Sequence, residues 1–238
     1  MSEPTNAPML PPPSGVSGWF SVWRDAVTKP NEQTYATIAQ SPNAKLTTAL
    51  LWVFLGALVN AFLAALVQGP LLNQMLQRYN FDTNRLGGGV GALLIRVICV
   101  TPISAVIAVV FFLIIVGIVQ VLAKMFGGRG TFDQLAYTFA AIMTPFYLVN
   151  AVLTLLLAIP FIGRCFGIVS LLLFLYMVVL EVMAVKGVNQ FGWGQAAASV
   201  LLPFLALCCC ITVGAFAVAN LIRTNMQNFP NSFLTPVP

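Results

Sequence analysis

The chain contains no histidine and only six acidic residues among its 238, and just 7% of its side chains are charged, against about 25% in soluble domains. These scarcities exclude most chemistry. The carboxylates Asp25, Glu32, Asp82, Asp133 and Glu181 stand isolated along the sequence, so no acid–base pair, nucleophile triad or metal set suggests itself. The five cysteines include no C-x-x-C spacing, which leaves zinc and redox readings without support. Cys99, Cys165 and the run Cys208-Cys209-Cys210 read as small buried hydrophobes; palmitoylation of the triplet is the rival, disfavoured by its place in mid-run. No catalytic residue, cofactor or metal is expected. Nucleic acid is also an unsuitable partner, because the net charge of +5 comes from cations scattered singly rather than gathered on one face.

What is abundant is apolar chain. Hydrophobic residues make up 59% and mean hydropathy is +0.93, so too little polar surface exists to clothe a water-soluble globule. The expected fold is all-α: a polytopic integral membrane bundle of five transmembrane helices, with interfacial amphipathic helices at the N-terminus and in the first loop. The five spans are expected at about residues 46–68, 96–122, 134–158, 166–185 and 196–222, each long enough for a hydrocarbon core of roughly 30 Å. Residues 1–15 read as a disordered, Pro-rich tail, 16–45 as an interfacial segment, 46–222 as the membrane domain and 223–238 as a polar tail. The start lacks the basic and apolar regions of a secretory signal, so the first span is expected to direct insertion.

Local signals punctuate this plan. Trp19, Phe20, Trp23, Ala26 and Val27 recur at helical spacing before Pro30, in a stretch too short to span and suited to the headgroup layer. Ser41-Pro42 reads as an N-cap with proline at the first helical position. Gly69-Pro70 ends the first span, and Leu71, Leu72, Met75, Leu76 and Tyr79 form a second amphipathic turn set. Arg96 is expected to snorkel to the interface ahead of a kink at Pro102. GGRG lacks the G-K-[ST] ending of a phosphate loop. Thr131 and Gln134 have capping-box spacing, with Asp133 beside the new helix dipole.

Within the spans, five positions stand out as candidate inter-helix polar or functional sites. Asn60 can bond a neighbouring helix. Pro145, in Thr144-Pro145, interrupts the third span. Asn150 and Thr154, four apart, share a helix face that is expected to pack inward. Glu181 closes the fourth span, as a proton or cation relay or as an interfacial carboxylate paired with Lys186.

The order of a Trp-bearing amphipathic segment, KPNEQTYATIAQSPNAK, a span, GGRGTFDQLAYTFAAIMTPF, the IPFIG turn and KGVNQFGWGQAA resembles the Yip1 domain family in its prokaryotic form. The resemblance runs from about residue 16 to 222 and rests on Pro30, the Gly127 to Phe132 connection, Pro145 and the Ile159 to Gly163 turn. It implies a five-helix membrane domain with a cytoplasmic N-terminal segment, in the inner membrane if the protein is prokaryotic. It also implies a role in membrane organisation or trafficking, since eukaryotic relatives bind Rab-type GTPases and one another. The D-L-Y-G-P and G-Y motifs of those relatives are absent here, so GTPase binding is assigned to no residue.

Two functions remain. One is a non-catalytic membrane protein that organises or scaffolds a membrane by lateral association with other membrane proteins or with itself. The alternative is a small permease or channel, built on the proline-interrupted spans and Glu181. The lipid bilayer is a partner in either case.

Overall fold

A computed structural model describes residues 16–78, 90–157 and 162–227. Every regular element among them is helical: α1 (Val16–Thr28), α2 (Glu32–Ala39), α3 (Leu46–Arg78), α4 (Val90–Ile95), a π-helical turn (Arg96–Val100), α5 (Thr101–Met125), α6 (Phe132–Leu157), α7 (Ile162–Asn189) and α8 (Trp193–Gln227). Five stretches are long and apolar enough to cross a membrane: Leu46–Val67, Leu93–Met125, Phe132–Leu156, Gly167–Asn189 and Trp193–Leu221. The shortest has 22 residues, about 33 Å of helix at 1.5 Å per residue. The protein is a multi-pass integral membrane bundle.

Helix α6 is the centre of that bundle. Leu135 through Ile142 are all buried, and α6 packs against α3, α5, α7, α1 and α2. Small buried side chains line both helices, Ala136, Ala140 and Ala141 on α6 and Ala49 and Ala57 on α3, and α3 is the helix α6 packs against most closely. A Cβ on Gly56 would lie 3.2 Å from Thr144 Cγ2 and 3.3 Å from Tyr147 Cβ. Pro145 lies inside α6 without ending it, and the neighbouring helices α3 and α7 flank the proline-bearing turn.

Several boundaries differ from the sequence-based expectation, each for a local reason. Ser41-Pro42 does not start α3. Ser41 caps a tight turn instead, its Oγ accepting from Asn43 N at 3.3 Å and its carbonyl from Ala44 N at 2.9 Å, and the helix begins at Leu46. Gly69-Pro70 does not interrupt α3, which runs on to Arg78, so the second amphipathic segment continues the first span. The break before Pro102 is a π turn rather than a kink alone. Thr101 N–H and Oγ1 both donate back to Arg96 O, five residues earlier, and the widened turn makes room for a proline ring with no N–H to offer. The capping box forms as spaced, with Thr131 N to Gln134 Oε1 at 3.0 Å and Gln134 N to Thr131 Oγ1 at 3.3 Å. The Ile159 to Gly163 turn lies largely outside the described residues.

Cys99, Cys208, Cys209 and Cys210 are exposed on the outside of the bundle, not buried as their size suggested. For the triplet the reason lies in α8, which touches only α5 and α7 appreciably and is the least enclosed of the five spans.

Candidate functional site

The chain enters α3, leaves α5, enters α6, leaves α7 and enters α8 at one end of the bundle, and α1 and α2 pack there. That end therefore gathers the polar connections and the cations Arg24, Lys29, Lys45, Lys124, Arg129 and Lys186.

Helix α1 is held by aromatic rings. Trp19 and Trp23 stand edge-on to Trp52 of α3 at 5.9 and 5.5 Å between centroids, and Trp52 rests on Tyr137 of α6 at 4.8 Å. Two of the tryptophans that suited a headgroup layer thus spend their area on the bundle, and Phe20, 60% exposed, is left outside. The opposite face of α1 carries Asp25 between Arg24 and Lys29, at 3.1 and 3.2 Å; such exposed pairs contribute little stability.

Helix α2 opens on Asn31, whose side chain accepts from Gln33 N at 3.1 Å, and lies on the end of α7. Tyr35 is buried and its hydroxyl donates to Ala26 O at 2.7 Å. Burial raises the Tyr35 phenol above its ordinary range. The neutral donor is therefore retained at neutral pH, and its stabilising share is lost only as pH climbs past the ordinary phenol range near 10. Gly187 makes the approach possible, because a Cβ there would fall 2.5 Å from Glu32 O. Lys186 pairs with Glu32 across this contact and sits 4.1 Å from the centre of the Trp193 ring.

The GGRG connection is fastened to the same place. Gly127 takes φ +86°, which an L side chain resists. Cβ atoms on Gly128 and Gly130 would meet Asn189 Oδ1 at 2.6 and 3.0 Å. Arg129 N–H donates to Asn189 O at 3.2 Å, and buried Gln120 Nε2 donates to Gly130 O at 2.7 Å. The glycines serve close packing of the α5–α6 connection against α7. Gln190 follows with φ +55°, the one non-glycine residue with positive φ among those described.

The span positions singled out from sequence fall in two places. Asn150 Nδ2 donates to Asn60 Oδ1 at 3.3 Å, joining α6 to α3, and Thr154 Oγ1 bonds back to Asn150 O at 2.8 Å. Asn150 is exposed rather than turned inward, so this seam lies at the bundle surface; an inter-helix bond of this type averages about 0.6 kcal/mol. Glu181 is separate. The helix continues two turns beyond it to Asn189, and Lys186 is engaged with Glu32 instead. Among the described residues no group of three His, Cys, Asp or Glu side chains converges.

Residues 24–215 match the family model of the Yip1 domain. The chain belongs to the Yip1 domain family. Comparison with curated proteins and with solved structures gives no significant match. The Yip1 match begins within α1 and ends within α8, so it takes in four whole spans, most of the fifth and the polar end. Gly187, Asn189, Gln190 and Gln120, which help build that end of this Yip1 protein, were not singled out by sequence reasoning, and Lys186 was named only as a partner for Glu181. The only local signal was the cluster of Gly, Asn and Gln in KGVNQ.

Proposed function

We propose that this Yip1-family protein is a non-catalytic membrane protein that organises or scaffolds its membrane, or serves trafficking, through lateral association with itself or with other membrane proteins. The end bearing α1 and α2 is read as cytoplasmic, because it gathers six cations. The carrying observation is α8. It is the least enclosed span and leaves Leu201, Leu205, Val213, Phe216 and Val218 facing outward with Cys208, Cys209 and Cys210. A span held on so little of its circumference has a broad face for another helix, where van der Waals packing drives association.

The cysteines supply the test. Three consecutive helical positions point about 100° apart, so together they cover more than half of the circumference of α8 at mid-span. A short bifunctional maleimide applied to native membranes is expected to give a covalent dimer that is lost when Cys208, Cys209 and Cys210 are replaced by serine. Replacing Cys99 should leave it intact. Monomer alone, after crosslinking and after purification in mild detergent, would sink the proposal.

A further inference from the structure

Two cavities adjoin at the charged end of the bundle. The smaller, of about 130 Å³, is walled by Gln40, Arg129, Gly130, Gln134 and Gln190. The larger, of about 340 Å³, is walled by Glu32, Gln33, Lys186, Gln190 and Phe191. Ala36, Gly187 and Gln190 line both.

Their chemistry is lopsided. The smaller cavity contains one formal charge, Arg129, and no acid. Among the described residues the Arg129 guanidinium has neither an ion pair nor a side-chain hydrogen bond. Around it stand three glutamine amides. The Gln134 amide is oriented, because its Oε1 takes the Thr131 N–H and leaves the NH₂ as a donor. In the larger cavity the only acid, Glu32, is neutralised by Lys186. The pair of cavities thus offers a free cation and amide donors to an anion.

Gln190 supplies an independent indication. It caps α7, donating its N–H to Lys186 O at 2.8 Å in the left-handed conformation, a position where glycine is the usual residue. Glycine would end the helix with less strain. What glutamine adds is a side chain, and that side chain borders both cavities. A backbone outlier of this kind points toward function.

The surroundings identify the source of the anion. Both cavities lie where α7 ends and α8 begins, the flank of two spans, beside Trp193, an aromatic suited to the headgroup level. Phe191 gives the larger cavity an apolar wall. We propose that this double cavity binds the phosphate of an anionic phospholipid, with Arg129 as counter-charge, Gln40, Gln134 and Gln190 bonding the phosphate and headgroup hydroxyls, and Phe191 meeting the glycerol and upper acyl chain.

The test uses the full chain in a neutral detergent, titrated with phosphatidylglycerol or phosphatidylcholine of matched acyl chains and, separately, with inorganic phosphate, bound lipid being counted by native mass spectrometry and phosphate binding by thermal shift. Phosphatidylglycerol is expected to bind in preference, and Arg129→Gln to weaken it about tenfold, near the lower end of what a hydrogen bond to a charged group contributes, without altering phosphatidylcholine. Gln190→Gly should lower phosphatidylglycerol affinity severalfold while the melting temperature holds or rises. Lys124→Gln, an exposed cation outside both cavities, should change nothing. Equal affinity in wild type, Arg129→Gln and Gln190→Gly overturns the site. An equal loss in Lys124→Gln overturns it in favour of general surface attraction. Stabilisation by inorganic phosphate alone, with the same dependence on Arg129, overturns the lipid and assigns a free phosphate.

Discussion

Trp52→Ala is expected to destabilise the protein by about 3–5 kcal/mol, the range for removing a large buried aromatic, and to release α1 from the bundle. Trp52 is fully buried and touches the rings of Trp19, Trp23 and Tyr137, so one truncation removes a single support from two helices. Edge-on pairs add about 0.5–1.5 kcal/mol each beyond their buried area. Trp52→Phe separates packing from polarity. Among the described residues the indole N–H of Trp52 has no hydrogen-bond partner, and phenylalanine keeps much of the volume while removing that unsatisfied donor, so its cost should be much smaller. Thermal unfolding in mild detergent measures the first effect. Trypsin cleavage after Arg24, which sits on α1 with its side chain exposed, measures the second and should appear in Trp52→Ala alone. Equal stability and equal protease resistance in both variants would contradict the ring cluster as the anchor of α1.

Gly187→Ala is expected to cost about 1–3 kcal/mol, the usual penalty for overpacking, and to lift α2 off α7. The new Cβ would lie 2.5 Å from Glu32 O and 3.3 Å from Ala36 N. These are backbone atoms, so no rotamer change relieves the clash and α2 itself must shift. The shift would pull Glu32 from Lys186 and disturb the Tyr35 bond to Ala26. Gly167→Ala is the matched control: it lies in the same helix, and a Cβ there meets nothing within 4 Å. Alanine gains about 1 kcal/mol of helix propensity over glycine at either position, so the difference between the two variants isolates the clash. Paired melting curves read it directly; similar shifts in both variants would mean that α2 does not rest on α7.

The spans were legible because the bilayer imposes one demand, a long apolar run with very few charges, and this chain meets it five times. The capping box at Thr131 and Gln134 was legible because it is closed within four residues. Gly69-Pro70 misled because proline is a firmer breaker in water than in an apolar bundle, where neighbours resolve its cost. The tryptophans of α1 were visible, but their spacing is the same against headgroups as against protein. Only the placement of Trp52, far along the chain, decides between the two. Glycines in a connection read as turns, whereas Gly128 and Gly130 are needed for contact with Asn189 at the end of α7. Lys186 found its partner in α2 rather than at Glu181, a pairing that no local window contains. Asn60 and Asn150 were each recognisable as polar residues in apolar runs, but their mutual bond joins positions 90 residues apart.

The architecture rests on an odd number of crossings that starts from the end shared by α2 and the α5–α6 connection. Its most direct test is labelling by a membrane-impermeant maleimide in sealed, oriented vesicles, with single cysteines at positions 37, 129 and 224 (Thr37→Cys, Arg129→Cys, Thr224→Cys) in a background lacking the five native ones. Positions 37 and 129 should label from one face and position 224 only from the other. Labelling of 224 from the same face as 37, or of 129 from the face opposite to 37, would contradict the five-crossing bundle.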